Sequence, residues 1–165
     1  ADLEIIKRYS SHKNVKGFTS NPSLMSKSGI KSYEEFIKTF LSISNNKPVS
    51  FEVTTDTNEE MELQAKKINA FSNSIYVKIP ICNTKGVSTV PLIAKLSSQK
   101  IKINVTAMMS FEQAKNVIDN VNPSITAPVA VNTTTNNSCM ALNVALGTPI
   151  TSDNCFESRA PPINS

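Results

Sequence analysis

A chain of 165 residues has room for one domain with an apolar core, and 39% hydrophobic residues can supply that core. The net charge of +4 comes from scattered lysines, with arginine only at Arg8 and Arg159 and no tryptophan, which argues against the clustered basic and aromatic surface of a nucleic-acid binder. Three widely spaced cysteines and one histidine argue against a zinc cluster, and no apolar run reaches the roughly 18 residues of a membrane span.

Asp2–Tyr9 opens the series of elements, with Leu3, Ile6 and Tyr9 at helical spacing. Val15–Ser20 reads as a first strand and runs into the loop Thr19-Ser20-Asn21-Pro22. Ser32-x-x-Glu35 has the form of a capping box ahead of Phe36, Ile37, Phe40 and Leu41, so a helix is predicted there. Val49–Thr55 is the second strand, and Thr57-x-x-Glu60 caps a helix carrying Met61, Ala65, Ile68 and Phe71. Ile75–Ile81 is the third strand. Pro91 suits the first turn of a helix over Val90–Leu96, with Ser88 and Thr89 available as caps. Ile101–Met108 is the fourth strand, Ser110-x-x-Gln113 precedes a helix with Ala114, Val117 and Ile118, and a weaker strand covers Ile125–Val131.

Strands and helices alternate as they do in βα units on a parallel sheet. Opening on a helix implies a strand before it, and only four or five units are visible where a closed barrel has eight. The expected architecture is therefore an α/β (βα)8 TIM-barrel type that looks incomplete. Composition shifts near Asn132, where Thr133-Thr134-Thr135-Asn136-Asn137-Ser138 begins a charge-poor stretch. The expected division is a partial barrel domain over residues 1–131 and a weakly ordered tail over 132–165, in which Met140 to Leu146 could add one helix turn or strand. No charged-then-apolar leader opens the chain, so a soluble, reducing, cytoplasmic setting is expected.

Side chains alternate between the two faces of a strand, so parity sorts the polar residues. Ser50, Glu52 and Thr54 share one face of the second strand, Tyr76, Lys78 and Pro80 one face of the third, and Lys102, Asn104 and Thr106 one face of the fourth. Three consecutive strands thus direct a carboxylate, an amine, and an amide with a hydroxyl the same way. Lys78 stands out because it interrupts the most apolar run in the chain. Desolvation disfavours an ammonium, and a neutral amine attacks carbonyls, so Schiff-base catalysis is one reading. An edge-strand lysine that blocks aggregation, or an ion pair with Glu52, is the plainer one.

Gly17-Phe18-Thr19-Ser20-Asn21-Pro22-Ser23-Leu24, Ser50-Phe51-Glu52-Val53, Val77-Lys78-Ile79-Pro80 and Asn104-Val105-Thr106 resemble, in order and spacing, the transaldolase family and its small subfamily that includes the fructose-6-phosphate aldolases. The resemblance spans about residues 2–125. It implies a barrel that needs no metal or cofactor and acts on sugar phosphates. Lys78 matches the lysine that forms the imine, and Glu52 and Thr106 match the pair that moves protons through a shared water. Thr19, Asn21 and Asn104 match residues that line the donor site, the asparagines holding its hydroxyls. Because the aldolase branch tends to carry glutamine at the Glu52 position, transfer of a dihydroxyacetone unit within the pentose phosphate pathway is the implied activity.

Two departures accompany the match. The family's first-strand aspartate has no counterpart, since Asp2 belongs to the following helix. Its phosphate-gripping serine and arginine are replaced by the stretch Ala127-Pro128-Val129-Ala130-Val131-Asn132. The alternatives are an aldolase-type lyase and an inactive remnant that binds sugar phosphate or only oligomerises. Expected partners are sugar-phosphate substrates and further copies of the chain, with neither nucleic acid nor membrane.

Overall fold

Helices begin where the sequence offers a cap. The computed structural model describes residues 3–20, 22, 25, 29, 31–121, 129–135 and 138–142. Among these, α1 is Leu3–Ser10, α2 Tyr33–Ile43, α3 Asn58–Asn69, α4 Val90–Ser98 and α5 Phe111–Asn120. Both halves of the capping box form at Thr57/Glu60 and at Ser110/Gln113. At α2, Ser32 accepts from Glu35 N at 3.4 Å. At α4 the work is divided: Ser88 Oγ accepts from Val90 N at 3.2 Å, while the Thr89 hydroxyl donates to Pro80 O.

The strands are β1 Phe18–Thr19, β2 Val49–Glu52, β3 Ile75–Pro80, β4 Ile103–Met108, β5 Val129–Thr135 and β6 Ser138–Leu142, and they lie in the sheet in sequence order. β1 to β5 are parallel, and β6 is antiparallel to β5. A parallel sheet whose order never reverses is wound one way only, and right-handed crossovers then put the helices on one face. Burial agrees. Val49, Phe51, Ile75, Val77, Ile79, Ile103 and Val105 are wholly buried, whereas Ser50, Glu52, Tyr76, Lys78 and Pro80 between them remain partly open. This α/β architecture is consistent with part of a (βα)8 barrel.

The buried strand face packs against Met61, Ala65 and Ile68 of α3, Leu92, Ile93 and Leu96 of α4, and Ala114 and Val117 of α5, all in one core. Beneath α2 the core is aromatic. Phe40 meets Phe18, Phe36 and Phe51 edge-on, with ring centroids 6.1, 5.7 and 5.5 Å apart. Close approach of β1 to β2 depends on Gly17, where a Cβ would sit 2.8 Å from Pro48 O.

Strand ends differ from the sequence reading for identifiable reasons. β2 stops at Glu52 rather than Thr55: Pro80 opposite has no N–H to extend the ladder, and Gln64 Oε1 captures the amides of Thr54 at 2.7 Å and Thr55 at 3.3 Å. β1 starts at Phe18 rather than Val15 because Val15 N closes a turn onto His12 O at 3.1 Å. β4 starts at Ile103 because the Ile101 amide serves the helix before it. Lys100 N bonds Ser97 O at 2.9 Å and Ile101 N bonds Leu96 O at 3.2 Å, a Schellman ending on α4. β5 covers Val129–Thr135, so it crosses the expected boundary at residue 131, and its β-branched threonines suit a strand despite their polarity. Residues 143–165 of the expected tail lie outside the described residues. No helix among the described residues is long and apolar enough to cross a membrane.

The Schellman ending places Lys100 at φ 63°, where a side chain is strained. Lys100 is exposed, so Lys100→Gly removes strain without removing packing. It is expected to stabilise the chain by about 0.5–1 kcal/mol, read as a higher urea midpoint at unchanged slope.

Candidate active site

β3 is paired on both sides, to β2 and to β4, so Lys78 is not an edge-strand lysine. Register puts Glu52, Lys78 and Asn104 in one row across three strands, with Pro80 and Thr106 in the next row toward the strands' C-terminal ends. Lys78 Nζ donates to Glu52 Oε2 at 3.2 Å and to Ser20 O at 3.0 Å. The side chains of Lys78 and Glu52 are 13% and 25% exposed, so the pair is sheltered yet within reach of water. The expectation of an amine held among apolar side chains is corrected here. Ile75, Val77 and Ile79 point to the opposite, helix-covered face, and Nζ meets two oxygen acceptors instead.

Asn104 is 6% exposed, and its Nδ2 donates to Ser50 Oγ at 3.2 Å. Thr106 Oγ1 is buried and meets no hydrogen-bond partner among the described residues. A buried hydroxyl without a partner is costly, and such groups gather where a water or ligand binds. Just beyond it, Ala107 adopts φ 59°, and the β4 pairing shifts register between Val105 and Met108. This bulge adds one residue to β4 and resets the alternation, so Met108 returns to the face of Val105 and is wholly buried. Thr19 lies in register with Ser50, on the polar face, and is exposed. Asn21 lies outside the described residues.

Tyr33, passed over in the sequence, joins this group. Its hydroxyl donates to Glu52 O at 2.6 Å from the first turn of α2. Burial, and then the nearby Glu52 carboxylate, hold the phenol well above its ordinary range.

The loops above the strand ends are tied together. Asp56 accepts from Thr84 N and Thr84 Oγ1, each at 2.8 Å, joining the loop after β2 to the loop after β3. These bonds, the amide first, hold the Asp56 carboxyl below its ordinary value of 3.8. A carboxyl lowered in the folded state contributes above its unfolded value and loses that contribution as pH falls through the folded one. The Thr84 amide resonance is therefore expected to stay constant from neutrality down to about pH 4 and to titrate below it. Asp56→Asn should abolish that titration.

The chain matches the family model described as Transaldolase/Fructose-6-phosphate aldolase over residues 1–136. It is 32% identical over 114 residues to a probable transaldolase of Dehalococcoides mccartyi, covering 69% of this chain and 51% of that protein. It is 38% identical over 113 residues to a probable transaldolase of Lactiplantibacillus plantarum, covering 68% and 49%. A probable transaldolase of Thermoplasma volcanium is 39% identical over 102 residues, covering 61% and 44%. The chain spans about half the length of the curated relatives it matches. Matched by that family model over most of its length and at 32–39% identity to these relatives, the chain belongs to the transaldolase/fructose-6-phosphate aldolase family.

Proposed function

We propose that this chain carries the imine-forming centre of a transaldolase, with Lys78 as nucleophile. The observation that carries the reading is Lys78 Nζ on the open polar face, 3.2 Å from Glu52 Oε2, one row from the unpartnered Thr106 hydroxyl. After giving up a proton, the amine adds to the C2 carbonyl of a ketose phosphate. The resulting carbinolamine loses water to give a protonated imine. In this reading Glu52 takes the amine's proton and, through a water shared with Thr106, delivers one to the departing hydroxyl. Groups in this role contribute about 10²–10⁴-fold.

The protonated imine draws the electron pair of the C3–C4 bond into an enamine as the C4 hydroxyl gives its proton to a water molecule and an aldehyde departs. Attack of the enamine on an acceptor aldehyde, followed by hydrolysis, transfers the three-carbon unit and restores Lys78. Asn104, Asn21 and Thr19 are the proposed contacts to the donor, and the cytoplasmic pentose phosphate pathway is the proposed setting.

Borohydride reduction of the full chain with fructose 6-phosphate, followed by peptide mass analysis, tests this. A reduced adduct on Lys78 is expected, and its absence overturns the reading. A second reading, aldol cleavage without transfer, belongs to the same family. Adding erythrose 4-phosphate separates the two: transfer yields a seven-carbon ketose phosphate, and simple cleavage releases dihydroxyacetone.

A further inference from the structure

We infer that Tyr33 is a positioning residue for Glu52, a role that rests on the imine chemistry proposed above. The hydrogen bonds joining β1 to β2 advance two residues at a time: Phe18 N donates to Pro48 O at 2.8 Å, and Ser20 N to Ser50 O at 2.9 Å. The next acceptor in that series is Glu52 O, and the next donor would be residue 22. Residue 22 is a proline in helical conformation, beyond the end of β1 and without an N–H, so the series stops at Ser20. Glu52 O is met instead by the Tyr33 hydroxyl at 2.6 Å.

The replacement matters because of where Glu52 stands. It is the last residue of β2, and its carboxylate is one of two acceptors holding Lys78 Nζ. A strand end whose carbonyl has lost its ladder donor can rotate its peptide plane, and the side chain turns with it. Here the plane is gripped at both ends: Val53 N donates to Lys78 O at 3.1 Å on the β3 side, and the Tyr33 hydroxyl fixes Glu52 O on the side the ladder has left open. Tyr33 is itself held, because its ring stacks on Phe36 at 6.5 Å with 13° between planes, and Phe36 is wholly buried. The raised phenol keeps Tyr33 a donor throughout the neutral range. The line of support runs from the aromatic core through one hydroxyl to the carboxylate beside the nucleophile.

Tyr33→Phe in the full chain keeps the ring and removes only the donor. Three measurements accompany it: the melting temperature, the carbon-13 resonance of the Glu52 carbonyl, and the rate of borohydride-trapped adduct formation with fructose 6-phosphate across pH. The expected result is a melting temperature within a few degrees of the parent, an upfield shift at Glu52, and trapping slowed about tenfold with a displaced pH profile. A purely structural tyrosine would lower the melting temperature and leave the pH profile of the folded fraction in place, which overturns the inference. A parent chain that traps while Tyr33→Phe traps at the same rate and profile overturns it too, leaving the imine reading standing. A parent chain that forms no adduct fails the imine reading itself and removes the role assigned to Tyr33.

Discussion

Lys78→Met is expected to abolish the borohydride-trapped adduct while leaving the fold intact. Removing the nucleophile of a covalent mechanism costs on the order of 10⁶-fold in turnover, so no residual adduct should be detectable. Methionine matches the length of the lysine stem and packs along the same strand. The substitution leaves Glu52 without its cation, but that carboxylate is 25% exposed and water can solvate it, so the large penalty of a stranded buried charge does not apply. A melting curve close to the parent's together with a lost adduct separates chemistry from folding. An adduct that persists on another lysine would reassign the nucleophile.

Phe40→Ala is expected to be the most destabilising single substitution in the core, by about 3–5 kcal/mol. Phe40 is wholly buried and touches rings from β1, β2 and its own helix, at 6.1, 5.5 and 5.7 Å. Deletion opens a cavity among aromatic neighbours that cannot collapse into it. Domains of this size have roughly 5–15 kcal/mol in total, so the change removes a large share of it. β1 has only two ladder residues, which leaves the Phe18–Phe40 contact as much of what holds that strand. Urea unfolding should show a midpoint lowered at constant slope, and amide exchange at Phe18 should accelerate most.

Periodicity and caps placed the helices well, since a capping box is local chemistry that needs no tertiary partner. Parity of the polar residues likewise put Glu52, Lys78 and Asn104 on one face, because alternation along a strand is a property of the backbone; that they also share a row is set by the register between strands. What escaped was non-local. The end of β2 depends on Pro80 across the ladder and on Gln64 from α3; the start of β4 depends on a helix ending that uses lysine where glycine is usual. The β4 bulge at Ala107 leaves no compositional sign, and it turned Met108 to the face opposite the one its parity gives. Tyr33 had a signal that could have been found. Pro22 falls two residues after Ser20 and has no N–H to offer a neighbouring strand, which marks where ladder bonds from β1 must stop. The apolar surroundings imagined for Lys78 were the apolar residues of its own strand, and those face the other way.

The β5–β6 hairpin carries a consequence for any attempt to rebuild a full ring from pieces. The far side of β5, against which a following parallel strand would zip, is already taken by β6. A complementing fragment supplied in trans would have to evict a neighbour tethered by Asn136-Asn137, whose effective concentration is in the millimolar range. Mixing experiments at micromolar protein should therefore fail on that side unless β6 is first deleted.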